Sequence, residues 1–577
     1  DMSRGLGDVY KRQLQDLSAQ STHQVILEYT GGDSESRRGY SQIPELYFKG
    51  AVYPADENSL PMYVGKFKLP LGSKGAAVEV VDQEFRDMSA ESSREFMTGR
   101  IIDSYINPQV EVTYDRKRPY AVVTFVPFRL DPGTRSYQML VSCKLQITPE
   151  QGDYQISAKS YASSSKLSSG DWYKIGVTEN GVYRITYSDL EGLGVDVGNL
   201  SSDAINVYGN HFGQLPYQNS EWRPDDLILN QIEVNDGGDG SFDQNDNITF
   251  YASGPHTWEL NNTSGRFVHN KHYYSDTAYY FIGIGVDPPS RIQDVASSTD
   301  AATHTVSSFV DFDFYEKDWN NLIKSGREFY GEYFDLVTTY NQSFNMPNVV
   351  QSSPVHLTVN VIARTIGTSN SSSFDVQVGN MATTNFSITG ISGSYVGDFA
   401  KPASNVMQFD PTSSVIPVTL TFNKHNPITS VAWLNYLEIN ATRQLRMTGS
   451  QMGFRDTASV GPGNVAEFTI TNAPLVHKVW DITDPTAVRN IQYNTVGNDL
   501  NFRLHADSLR EFVAFKNSNY QSPKLFGRVP NQDLHAMVPP VDLVIVGNPF
   551  FLNEANALAQ FHEDDGLQVR VVTTQQV

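Results

Sequence analysis

The sequence predicts a mainly β protein, with several β-sandwich-like modules in series followed by the first βαβ unit of an α/β domain. Three observations carry this expectation. Short runs that alternate apolar and polar residues, separated by Gly and Pro turns, recur along most of the chain. Gly (42), Pro (28), Tyr (30) and Phe (31) are abundant, whereas charged residues make up only 19% of the 577 positions; this composition suits pleated, half-buried surfaces. Residues 541–577 alone change character, from alternation to a continuous apolar run followed by a helical period.

The length of 577 residues holds roughly four domains of about 150 residues each. Lys and Arg number 43 against 64 Asp and Glu, a net charge of −21 and a pI near 5.0. That surplus makes nucleic acids and anionic membrane surfaces poor partners. No run of about 18 apolar residues occurs, so no membrane-spanning helix is predicted. The single cysteine, Cys143, excludes an intramolecular disulfide framework and any Cys-cluster metal site.

Taken in order, residues 1–13 (DMSRGLGDVYKRQ) show no periodicity and no signal-peptide core. They read as an adapter-derived artefact, and the expectation is that the true N-terminus with its signal peptide is missing. Residues 20–156 read as an N-terminal β domain. Its clearest strand, 137–147, places Met139, Val141, Cys143, Leu145 and Ile147 on one face by strict alternation. Cys143 therefore reads as a small buried hydrophobe, because a reactive thiolate needs an exposed, electropositive setting.

Residues 157–170 are rich in Ser, Ala and Lys and read as a flexible linker. Residues 171–287 form a second β module. It opens on DWYKIGVTENGVYRITY, where Asn180-Gly181 between two alternating runs predicts a type I′ hairpin. Gly283 and Gly285 lack the third glycine and following helix of a nucleotide-binding turn. A Pro/Ser/Asp/Thr-rich boundary at 288–308 precedes a β-sandwich over 309–473, then a β-rich connecting region over 474–540.

Residues 541–547 (VDLVIVG) suit a strand buried on both faces. Asn548 can cap and Pro549 open a helix whose Phe551, Ala555, Leu558 and Phe561 share one face. Asp565-Gly566 supplies a stop and 567–574 returns as a second strand, which implies a right-handed βαβ crossover. One such unit does not make a stable domain, so an α/β domain that starts near Val541 and is truncated at Val577 is expected.

The polar cluster with the most distinctive spacing is NDGGDGSFDQND, residues 235–246. Calcium takes carboxylate and carbonyl oxygens from a tightly turned loop, with glycine where the backbone reverses. Asp236, Asp239, Asp243 and Asp246 are the candidate ligands; the other reading is a solvated Asp/Gly turn. The pair His269 and His272 supplies only two metal ligands, and Ser163 with Lys166 satisfies SxxK only formally, inside the linker. His211, His256 and His477 sit in ordinary contexts. Trp172, Trp222, Trp258 and Trp319 serve either as core and edge packing or as the lining of a glycan groove. No complete catalytic set is found.

Residues 171–190 (DWYKIGVTENGVYRITYSDL), 235–255 (NDGGDGSFDQNDNITFYASGP) and 541–577 together resemble the gingipain family of cysteine peptidases, in its type IX secretion system sortase branch. The last segment is similar to the opening strand, helix and strand of that family's caspase-like catalytic domain. The resemblance implies a His/Cys dyad downstream of this opening, so no catalytic residue is assigned in this chain, and none of the cofactors of catalysis. It further implies removal of C-terminal sorting domains from cargo proteins and attachment of the cargo to anionic lipopolysaccharide. The implied location is the outer-membrane surface, and the implied partners are an outer-membrane β-barrel anchor and other attachment-complex subunits. The alternatives are a secreted gingipain-like protease and a non-enzymatic adhesin or glycan-binding β-sandwich array.

Overall fold

The computed structural model describes residues 20–31, 43–53, 60–70, 73–96, 102–115, 118–151, 161–324, 328–536 and 541–577. The adapter-like residues 1–13 and linker residues 157–160 lie outside them. The chain divides into two compact units, one within 1–160 together with 540–574 and one within 161–539. Strand dominates, as the sequence predicts, and the strands form many separate sheets. Among the described residues no helix is long and apolar enough to cross a membrane.

In the first unit, Tyr137–Gln151 lies between Ser21–Ile26 and Ser73–Asp87 and also pairs with Phe128–Leu130. A second sheet orders Tyr63–Lys68, Arg118–Phe125 and Gln109–Asp115. Val25, Val123, Phe125, Cys143, Leu145 and Ile147 form one core from both sheets. Cys143 is completely buried, and burial pushes its thiol up to about 11, as expected for an inert sulfhydryl.

The alternation along this strand breaks where the sequence predicts that it continues. Glu84 faces Ser142 but Phe85 faces Leu140, so Val141 is the extra residue of a β-bulge. The bulge turns Leu140 into the core that holds Cys143, and sends Met139 into a separate cluster with Ile43, Leu46 and Phe128.

Residues 541–577 form the expected βαβ unit. Leu543–Gly547 and Val569–Thr573 pair in parallel, and the helix Leu552–Asp564 joins them. The Asn548 side chain accepts the Phe550 amide at 3.0 Å, ahead of a 3₁₀ turn at Pro549–Phe551, and Gly566 takes the left-handed φ of 86°. The predicted apolar helix face does not hold. Ala555 and Ala559 are the buried helix residues, whereas Phe551 (56% exposed), Leu558 (49%) and Phe561 (63%) are open. Two strands offer a narrow floor, and small side chains let the helix approach it: a Cβ placed on Gly547 would stand 3.7 Å from that of Ala555.

Among the described residues, the three largest buried apolar clusters of the second unit each lie between two sheets. The first joins a five-stranded sheet, ordered Leu229–Asn230, Ile205–Tyr208, Ala278–Ile284, Asp171–Val177 and Lys524–Val529, to a three-stranded sheet of Glu233–Asn235, Asn247–Ala252 and Gly181–Thr186. The predicted hairpin is thereby corrected. Its two strands lie in different sheets, and neither Asn180 nor Gly181 has a positive φ. The connection is an arch fixed by a distant residue. Asn180 Oδ1 accepts the Gly254 amide at 2.8 Å, and a Cβ on Gly254 would lie 2.9 Å from the Thr178 carbonyl oxygen.

The second core lies between Ser308–Glu316, Val431–Gln444, Val355–Arg364 and Lys401–Phe409 on one side and Thr339–Asn345, Val415–Asn423, Ser371–Val378 and Ala382–Thr389 on the other. This sandwich closes at Gln444. Gln451–Arg455 and Val465–Ile470 instead build the third core with strands between Val476 and Lys516. The 288–308 boundary also contributes: Gln293–Val295 and His304–Val306 pair in parallel with Arg489–Ile491 and Val465–Ile470. Three-residue strands matched to partners some 160 to 200 residues away leave no local period to read.

Residues 161–170 are tied down rather than free. The Ser165 amide donates to Asp533 (2.7 Å), the Lys166 amide to Asp226 (2.7 Å), and Lys166 Nζ pairs with Asp287 (2.9 Å). That ion pair also occupies the lysine of the formal SxxK motif.

Candidate functional site

A short hairpin, Thr257–Asn261 with Arg266–Asn270, builds a buried, charged site in the second unit. Trp258 stands opposite His269 across the ladder, so both project from one face. That face packs on the sandwich strands Ser308–Glu316 and Val431–Gln444. Asn440 fixes the register: its Oδ1 accepts the Phe267 amide (2.7 Å) and its Nδ2 donates to the Phe267 carbonyl (2.9 Å). Trp258 stacks on Phe312 with ring centroids 4.1 Å apart, and Arg455 lies over Phe312 at 4.4 Å.

His269 is then held between two carboxylates. Nδ1 lies 2.8 Å from Glu438 and Nε2 lies 2.8 Å from Glu316, with side-chain exposures of 3%, 4% and 8%. Burial alone would lower the imidazole's pKa, but the hydrogen bonds and charges of Glu316 and Glu438 outweigh it and hold His269 above its ordinary 6.5. The imidazolium is the form that satisfies both acceptors. Lys271 extends the network, 2.5 Å from Asp318 and 3.9 Å from Glu316.

Beside this clamp opens a cleft of about 860 Å³. Trp222, Trp258, Phe329 and Tyr436 supply rings, and Glu221, Glu259, Glu316, Asp318 and Glu328 supply carboxylates. A β-bulge at Asn435, where Asn360 pairs with Tyr436 and Val361 with Leu434, places Asn435 and Tyr436 consecutively in the lining. The tryptophan candidates divide accordingly. Trp222 and Trp258 line the cleft; Trp172 is a core residue whose Nε1 donates to the Ser169 carbonyl (2.8 Å), and Trp319 is exposed away from the lining.

The structure does not bring His269 and His272 together as ligands. His272 Nδ1 accepts the Tyr274 and Ser275 amides at 3.1 and 3.0 Å, closing its own turn. His256 accepts the His272 amide at 3.1 Å. The partners of His269 were not legible in the sequence, because Glu316 and Glu438 come from strands 47 and 169 residues away.

A second polar constellation lies in an adjoining cavity of about 320 Å³, lined by His211, Ser253 and Tyr280. Ser253 Oγ is 3.0 Å from His211 Nδ1, and Asn230, turned with its Oδ1 inward, accepts from Nε2 at 2.8 Å. The arrangement has the outline of a nucleophile, base and orienting amide. Its electrostatics oppose that role. Burial drives His211 down to about 3, too weak a base to draw a proton from a serine at neutral pH. The Ser253 and Gly254 amides, which would form an oxyanion site, already donate to Tyr280 (2.8 Å) and Asn180 (2.8 Å). It is a strand-locking network.

The four aspartates of the acidic loop lie between paired Asn235 and Asn247. Asp236 accepts the Gly238 amide (3.0 Å), Asp239 the Ser241 amide (2.9 Å) and Asp246 the Asp243 amide (2.5 Å), while Phe242 anchors the loop in the core. Among the described residues, no group of three or more His, Cys, Asp or Glu side chains is placed to hold a metal ion.

Fold and site together define a class: a multi-sandwich β scaffold with a two-carboxylate histidine clamp, leading into a parallel βαβ opening. No protein-family model matches the chain, and no curated protein matches it. Among solved structures it is similar to dimeric latent PorU from Porphyromonas gingivalis, with 25% identity and a TM-score of 0.60 over 72% of this chain. The match spans 38% of the PorU chain, so this chain corresponds to well under half of that structure. The complex of pro- and mature domains of RgpB from the same organism matches 25% of this chain and 88% of its own, at 16% identity, and its TM-score of 0.17 carries no weight. The chain is PorU-like over the matched region.

Proposed function

We propose that the chain is the N-terminal portion of a type IX secretion system sortase, in which the β modules serve as scaffold and partner-binding surface for a cysteine peptidase domain that begins at the 541–577 βαβ unit. The observation that carries this reading is the similarity to latent PorU at 25% identity and a TM-score of 0.60. The exposed Val544 and Val546 on the strand, and Phe551 and Phe561 on the helix, support it further, because a parallel sheet is ordinarily covered on both faces.

In this reading a thiolate supplied by the rest of the domain attacks the peptide bond before the sorting domain of a cargo protein. Histidine gives the leaving amine its proton, and a thioester to the cargo forms. Water releases the cargo, whereas an amine of anionic lipopolysaccharide takes the acyl group and fixes the cargo to the cell surface. The proposed partners are an outer-membrane β-barrel anchor and other attachment-complex subunits. Deleting the gene in the source bacterium tests this. Cargo proteins that keep their sorting domains and leave the surface are the expected result; unaltered cargo processing would overturn it.

A further inference from the structure

We propose that the cleft beside His269 receives a basic side chain of a polypeptide, the guanidinium of arginine or the ammonium of lysine, seated between its aromatic rings and carboxylates. Three properties converge on that ligand. The first is size: a cleft of about 860 Å³ accommodates a side chain with the backbone on either side of it.

The second is charge. Five carboxylates line the cleft, and among its described lining residues the cationic groups are Lys271 and His269, since burial keeps His211 neutral. Both are already matched, Lys271 by Asp318 and His269 by Glu316 and Glu438. Glu259, on the hairpin opposite Val268, is exposed. The cleft thus keeps a negative surplus of its own, on a chain of net charge −21. An anionic ligand would be repelled, and a neutral one would leave the surplus unmatched.

The third is the set of rings. Trp222 is 72% exposed, its ring centroid 5.6 Å from that of Phe212 and the planes inclined at 61°, and Trp258 and Tyr436 line the same space. An open indole face next to carboxylates attracts cations, arginine most of all, and the paired charge adds to the ring's quadrupole. The Asn435 amide, whose Nδ2 donates to Asn360 Oδ1 at 3.3 Å, keeps its own oxygen as an acceptor beside the bound segment.

The test uses the intact 577-residue chain. Acetyl-Gly-Arg-Gly-amide is titrated by calorimetry and by tryptophan fluorescence beside acetyl-Gly-Glu-Gly-amide and maltotriose. The expected result is saturable binding of the arginyl peptide alone, weakened by added salt. Trp222→Ala and Glu259→Gln, both at exposed positions, should each weaken it roughly 2- to 30-fold without changing the far-ultraviolet circular dichroism. Absence of binding, equal affinity for the glutamyl peptide, preference for maltotriose, or indifference to both substitutions would each overturn the proposal.

Discussion

Replacing His269 by alanine tests how the hairpin 257–270 is held to its sandwich. The substitution removes the partner of two carboxylates whose side chains are 8% and 4% exposed, Glu316 and Glu438. Stranding buried charge in this way costs about 3–5 kcal/mol, several times the worth of a surface ion pair, about 0–1 kcal/mol. The chain contains several cores, so the loss is best read locally, by hydrogen exchange of the Arg266–Asn270 amides. A cost of that size is a roughly 10²- to 10⁴-fold loss of protection. Adding Glu438→Gln to the variant removes one stranded charge and should recover part of the loss. The same clamp is pH-dependent. His269 is held above its ordinary 6.5, so its contribution is fully present at acid pH and lost as pH rises through the raised value. A protection loss equivalent to less than about 1 kcal/mol, or protection that improves with rising pH after correction for intrinsic exchange, would refute the reasoning.

Other outcomes follow from the same geometry. Cys143, fully buried with its thiol pushed up to about 11, should resist alkylation in the native chain and react on denaturation; rapid native labelling would contradict its placement. Gly254→Ala drives a methyl against the Thr178 carbonyl and the Glu179 backbone and should cost about 1–3 kcal/mol, whereas Gly237→Ala, with nothing within 4 Å but a φ of 68°, should cost about 1 kcal/mol from backbone strain alone; thermal melts rank the two. The acidic loop closes by its own hydrogen bonds, so the melt is expected to be the same in calcium and in chelator. A calcium-dependent rise that Asp239→Asn abolishes would give the four aspartates the ligand role.

The two-residue period exposed the core face of Cys143, Leu145 and Ile147, because the Ser21–Ile26 strand pairs with that stretch in unbroken register. It failed one turn of pleat earlier, where Val141 is the extra residue of a bulge specified by the partner strand. Asn180-Gly181 carried a genuine turn signal, yet Gly254, 74 residues on, forces an arch. The βαβ opening was legible because its connections are short and its strand continuous, while the buried side of the helix was set by how closely Ala555 and Ala559 let it approach the sheet. For the site, Trp222 and Trp258 were visible as groove candidates. The clamp was not: His269 looked like half of a metal pair, and its actual partners reach it only after two sandwich strands are assembled.

The central claim, that the β modules lead into a cysteine peptidase domain, is tested most directly by reading the encoding gene past the codon for Val577. The account predicts further alternating strands and helices, with a histidine at one strand end and a cysteine at a later one. A stop codon immediately after Val577, or an extension without that pair, would contradict it.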